Sequence, residues 1–189
     1  NITEDSFYAG SRTQNLDAIK SKVSQMLNEG ADILDIGAQS TRPGSIRISA
    51  EEELKRLLPA IEMLVALYPE ITISIDTYHS QVAEETIGAG GSIVNDISGG
   101  DMDKKMLQTV AKLNVPYICM HMKGLPETMQ HNTNYEDVVK EILDYFIKKT
   151  EACKRAGIND VIIDPGFGFG KNISQNLLLL KNISFFTML

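Results

Sequence analysis

Six polar residues close short apolar runs in this chain: Asp35, Asp76, Asn95, Asp96, His121 and Asp164. A carboxylate accepts two N–H bonds at once, and an amide both donates and accepts. Burying several acids together costs free energy unless a donor-rich ligand, a metal or a cation satisfies them. Such a set therefore offers recognition of a ligand rich in N–H donors, or of a metal. Hydrolysis is less well served. A di-metal centre gathers His with its acids, yet only His121 closes an apolar run, while His79 and His131 lie in helix-start and loop sequence. No G-x-S-x-G elbow is present for a Ser–His–Asp triad.

The elements that must position these residues alternate. Asn1 to Ser11 reads as a loop. Apolar residues then recur at helical spacing from Asn15 to Glu29, with Gly30 as the cap. A strand is expected over Asp32 to Gly37, followed by a polar loop containing STRPG, Ser40 to Gly44. The next helix starts at Ser49, with Glu52 completing a capping-box pattern, and runs to Leu67 with a bend or break at Pro59. Strands follow over Ile71 to Thr77, Ser92 to Ile97, Val115 to His121 and Val161 to Asp164. Helices follow over Ser80 to Ala89, Asp103 to Leu113, Tyr135 to Ala156 and Ser174 to Asn182. No hairpin signal joins any two strands, so the pattern predicts a parallel sheet with helical crossovers. An open doubly wound sheet would suit five strands, but the G-x-G-x-x-G fingerprint is absent. Lys171 is followed by Asn172, which excludes a P-loop. In a barrel of parallel strands the strand ends converge on one face, and the loops after them carry function.

At 189 residues, with 43% hydrophobic and 23% charged, the composition fits one soluble globular domain spanning 1–189. No apolar run reaches the roughly 20 residues of a membrane helix. The N-terminus has no signal-peptide pattern. It also has no Met and no strand before its first loop, so a chain clipped at its front is expected. Cys119 and Cys153 have no paired spacing and read as reduced thiols of a cytoplasmic protein. A formal charge of −7 argues against nucleic-acid binding but leaves room for an anionic substrate at a local basic cluster.

Six stretches, in order and covering nearly the whole chain, carry a resemblance. They are NITEDSF at 1–7, DIGAQSTRPG at 35–44, IDT at 75–77, VNDISGG at 94–100, MHMKG at 120–124 and DPGFGFGK at 164–171. Together they make the chain resemble the dihydropteroate synthase family of pterin-binding barrels. The resemblance implies an α/β fold, a (β/α)8 TIM barrel, of which residues 1–189 would cover roughly strands 2 to 6. It implies a transferase of folate biosynthesis, a target of sulfonamides. That family joins 7,8-dihydropterin-6-ylmethyl diphosphate to p-aminobenzoate and releases diphosphate with Mg2+. Catalysis and pterin binding would fall to Asp76, Asn95 and Asp164, with Met120 and Phe169 against the ring. Phe7, Thr41, Arg42 and Pro43 would serve p-aminobenzoate, with Thr41 to Gly44 as a mobile lid and Asp35 anchoring its base. Asn1 would hold the Mg2+. The implied assembly is a homodimer, with no nucleic-acid partner and no membrane.

The match has departures. Glu4 stands where the family usually has Pro, and Ala38 and Gln39 where Gly and Glu are commoner. A Ser-Arg-Lys motif and an Arg-x-His motif, which the family carries on two later strands, would lie beyond residue 189. Two other readings remain open here: a pterin-binding methyltransferase, and a barrel that binds pterin without catalysis.

Overall fold

The computed structural model of the chain describes residues 1–2, 12–39, 47–126, 128–129 and 133–189. Among them, six helices alternate with five strands: α1 (Arg12–Asn28), β1 (Ile33–Gly37), α2 (Ala50–Leu67), β2 (Thr72–Asp76), α3 (Ser80–Gly88), β3 (Ile93–Asp96), α4 (Met106–Leu113), β4 (Tyr117–Met120), α5 (Val138–Ala156), β5 (Val161–Asp164) and α6 (Ile173–Lys181). A short 3-10 segment, Ile183–Met188, follows α6.

Every strand pairs in parallel with the next, in the order β1-β2-β3-β4-β5. This order separates the two folds that the alternation allowed. A doubly wound sheet reverses its strand order, which puts helices on both faces. Right-handed crossovers between strands in strict sequence put all helices on one face, as in a barrel. The architecture is that of consecutive β/α units of a TIM barrel.

The sequence enforces this by giving each strand a buried side toward the helices. Leu34 and Ile36 of β1, Ile73 and Ile75 of β2, Val94 of β3, and Tyr117 and Cys119 of β4 are all buried. They meet the apolar faces of α2, α3 and α5, through residues such as Leu57, Ile61, Leu64, Val82, Ile142 and Phe146. The alternate positions, Asp35, Ser74, Asp76 and Asn95, project to the other face, because successive side chains of a strand point oppositely. Cys119 and Cys153 are buried free thiols. No helix among the described residues is long and apolar enough to cross a membrane.

Two local expectations are corrected. Ser49 does cap α2, its Oγ accepting from Glu52 N at 3.2 Å. Glu52 does not return the bond; it turns to Arg56, at 3.0 Å, which is one helical turn on and oppositely charged. The reciprocal capping box is at α6, between Asn172 and Gln175. The expected break at Pro59 is also absent, and α2 runs through it. Buried Leu57, Ala60, Ile61 and Leu64 flank Pro59 on a packed face, and that burial offsets the roughly 3 kcal/mol that an interior proline costs a helix through its missing N–H and its ring.

Candidate functional site

The site is built at the C-terminal ends of the strands. Gly37, Asp76 and Asn95 lie side by side on β1, β2 and β3, since Gly37 pairs with Asp76 and Asp76 with Asn95. Met120 and Asp164 are likewise paired on β4 and β5. Backbone register alone thus brings four of the expected pterin residues, Asp76, Asn95, Met120 and Asp164, to one rim.

Asp35 does something the sequence did not reveal. It accepts from Ser74 Oγ at 2.6 Å and from Asn95 Nδ2 at 3.2 Å on each carboxylate oxygen. It therefore ties β1, β2 and β3 together on the face away from the helices. The loop that Asp35 was expected to anchor, Thr41 to Gly44, lies outside the described residues. The carboxylate can only accept, so it fixes the Asn95 amide with its nitrogen toward Asp35 and its Oδ1 free for a donor.

The expected place of Asp96 is corrected. It closes β3 but faces the helical side, fully buried. There it accepts from Ser98 N and Oγ, Gly100 N and Tyr117 Oη at 2.7–2.9 Å. Burial still pushes its carboxyl up, against the pull of those bonds. Asp96 shapes the turn after β3 and does not belong to the ligand face.

Asp76 has a carboxyl raised to about 7, first by burial and then by the negative charge of Asp35, Glu53 and Asp96. His121 is buried, and burial together with Lys171 pushes its imidazole down to about 3, so it is neutral at physiological pH. No group of three His, Cys, Asp or Glu side chains that could hold a metal ion occurs among the described residues.

The loop after β5 is held by its backbone. Asp164 Oδ1 accepts from Gly166 N at 2.8 Å. Gly166 has φ of 68°, and a Cβ there would run into the carbonyl oxygen of His121, so only glycine lets this loop press onto the end of β4. Lys171, raised in the sequence only as a rejected P-loop lysine, locks the arrangement. Its buried Nζ donates to the carbonyls of His121, Gly166 and Phe169 at 3.2, 2.8 and 2.9 Å. Burial lowers its ammonium to about 7, with Asp164 acting in the opposite direction. Phe169 then packs with Met120, Tyr78, Ile97, Met102 and Met122 in a small apolar cluster. The two residues expected against a planar ring are thus brought together beside Asp164.

Asn1 and Ile2 lie against the end of β1, with Ile2 N donating to Gly37 O at 2.7 Å and Asn1 Nδ2 to Gln39 O at 3.1 Å. The latter bond leaves the Asn1 side-chain oxygen as a hard donor at the rim. Phe7, Thr41, Arg42 and Pro43 lie outside the described residues, as does His131.

What the rim can do follows from its parts. Carboxylates and an oriented amide oxygen accept N–H bonds at one edge of a ligand, and Met120 with Phe169 offers apolar, polarizable contact for a flat ring. The family model described as pterin binding enzyme matches residues 1–189. A mitochondrial folate synthesis bifunctional protein of Arabidopsis thaliana is 45% identical over 97% of this chain, which spans 34% of that relative. The dihydropteroate synthase of Escherichia coli is 41% identical over 98% of this chain, which spans 66% of it. The solved dihydropteroate synthase of Xanthomonas albilineans, with 4-aminobenzoic acid, is 38% identical with a TM-score of 0.87. That match covers 97% of this chain and 65% of the solved one.

Proposed function

The chain belongs to the pterin binding enzyme family, and on that premise we propose that the protein containing it is a dihydropteroate synthase. It would condense 7,8-dihydropterin-6-ylmethyl diphosphate with p-aminobenzoate, forming dihydropteroate and diphosphate in folate biosynthesis. The observation that carries the reading is the shared rim of Asp76, Asn95 and Asp164 beside Met120 and Phe169.

The roles follow from the chemistry of each group. A pterin presents an amino group beside ring N–H donors. Asp76 and Asp164 accept these bonds, and Asn95 offers its oxygen because Asp35 holds its nitrogen. Phe169 and Met120 cover the ring. Departure of diphosphate leaves positive charge on the pterin methyl group and ring. The carboxylates stabilise that charge, and the protein's remaining task is to hold the amine in line. Phe7, Thr41, Arg42 and Pro43 are assigned to p-aminobenzoate by resemblance, which extends to sulfonamides as competitors there.

Mg2+ fits the side-chain oxygen of Asn1, a hard donor against the end of β1. This ion commonly takes one or two protein oxygens and completes its shell with water and substrate phosphate. When bound it would neutralise the leaving diphosphate. We also propose a homodimer and, from the two buried free thiols, a reducing compartment such as the cytoplasm.

The test is the purified full-length protein with both substrates and Mg2+, read as dihydropteroate and diphosphate in equal amounts. Methyl transfer from a methylated folate with no dihydropteroate would support a pterin-binding methyltransferase instead. Pterin binding with no turnover would support a non-catalytic barrel.

A further inference from the structure

Helix α5 sends two side chains, one turn apart, to the backbone that leaves β3 and β4. Tyr145 Oη lies 3.2 Å from the carbonyl oxygen of Met120 and 3.4 Å from that of Ser98. A carbonyl only accepts, so the phenol is the donor, and its one proton is shared between the end of β4 and the turn after β3. Lys149, four residues on, donates to Gly99 O at 2.8 Å and to Asp101 Oδ1 at 2.6 Å. The turn after β3 is thus held by α5 as well as by Asp96.

Tyr145 also packs its ring on the residue after Met120. The rings of Tyr145 and His121 meet edge to face, with centroids 4.8 Å apart. The His121 carbonyl accepts from Lys171 at 3.2 Å. The backbone at 120–121 is therefore gripped twice, by the phenol from the helical layer and by the ammonium from the loop after β5. Gly99 makes room for the phenol: at its φ of 57°, a Cβ would collide with Tyr145 Oη and stand 3.2 Å from Met120 O. The Met120 side chain is equally confined. It is buried, packs with Phe169, and has its Cγ 3.2 Å from where a Cβ on Gly166 would be.

We propose that Tyr145 is a positioning residue of the pterin site, its hydroxyl tying the end of β4 to the turn after β3 so that Met120 stays against the face of the ring. This rests on the pterin reading, in which Met120 covers the ring. Tyr145 belongs to the helical layer and acts through Met120. With its hydroxyl removed, the Met120 peptide loses a donor at the point where the strand ends, and the thioether moves with that peptide.

The test uses the full-length protein, with pteroic acid titrated by calorimetry and the methionine methyl groups labelled with 13C for NMR. The Met120 methyl signal is identified by its loss in Met120→Leu. Tyr145→Phe keeps the ring and removes the hydroxyl. Val110→Ala, at a buried position of α4, supplies a general loss of stability for comparison. Tyr145→Phe should weaken pteroic acid binding about 3–10-fold, the worth of one hydrogen bond, and should shift the Met120 methyl signal of the free protein. Val110→Ala should lower Tm at least as much and leave both the affinity and the Met120 signal as in wild type. Wild-type affinity in Tyr145→Phe, an unmoved Met120 signal, or an equal affinity loss in Val110→Ala would overturn the proposal and make Tyr145 purely structural. Wild-type protein that binds no pteroic acid would overturn the pterin reading itself, a distinct outcome.

Discussion

Gly37 and Asp76 face each other across the β1–β2 ladder, and a Cβ on Gly37 would stand 3.0 Å from both Cβ and Oδ2 of Asp76. The contact is with the carboxylate on which the pterin reading depends. A side chain at 37 would displace that carboxylate while leaving the strand pairing intact. Gly37→Ala is therefore expected to weaken pterin binding by about 1–3 kcal/mol, the usual cost of overpacking a tight site. Calorimetry with pteroic acid measures this, and circular dichroism checks that the fold is unchanged.

Asp35 and Asn95 should behave as one unit. Asp35→Ala frees the Asn95 amide to turn, and Asn95→Ala removes the oxygen that Asp35 orients. In a double-mutant cycle read as pterin affinity, the two changes should be non-additive, with a coupling of about 0.5–3 kcal/mol. Additive losses would separate the residues into independent roles.

Lys171→Met removes the cation that pins the loop after β5 and leaves the carbonyls of His121, Gly166 and Phe169 without their donor. Pterin affinity should fall by about 1–3 kcal/mol as Asp164 and Phe169 lose their support. Stability supplies a second readout. The folded ammonium titrates near 7 and the unfolded one near 10.5. Between these values the unfolded state holds the extra proton, so this group's contribution to stability rises with pH. The wild type should gain stability from pH 7 to 9.5 in urea unfolding, and Lys171→Met should show a smaller gain.

The strands and the rim residues Asp76, Asn95 and Asp164 were legible in the sequence, because each strand closes an apolar run with a polar group, while the strand order β1-β2-β3-β4-β5 was expected only from the family resemblance. Their mutual register then followed from parallel pairing. The bonds of Asp35 to Ser74 and Asn95 were not legible, because those partners are 39 and 60 residues away and no local pattern encodes such contacts. Asp96 was misread because β3 closes on two polar residues in succession, and alternation sends one to each face. Lys171 was weighed only as a P-loop lysine and rejected, because its contacts to the carbonyls of His121, Gly166 and Phe169 depend on how the loop folds. The only signal for Lys171 was its place at the end of a loop crowded with glycines, which brings backbone carbonyls within reach of one side chain.

The most direct measurement is product formation by the purified full-length protein given 7,8-dihydropterin-6-ylmethyl diphosphate, p-aminobenzoate and Mg2+, compared with its Asp164→Asn variant. Dihydropteroate and diphosphate should form together in the wild type, and the variant should bind the pterin about 1–3 kcal/mol more weakly. Wild-type protein that forms no dihydropteroate, or a variant with unaltered pterin affinity, would contradict the account.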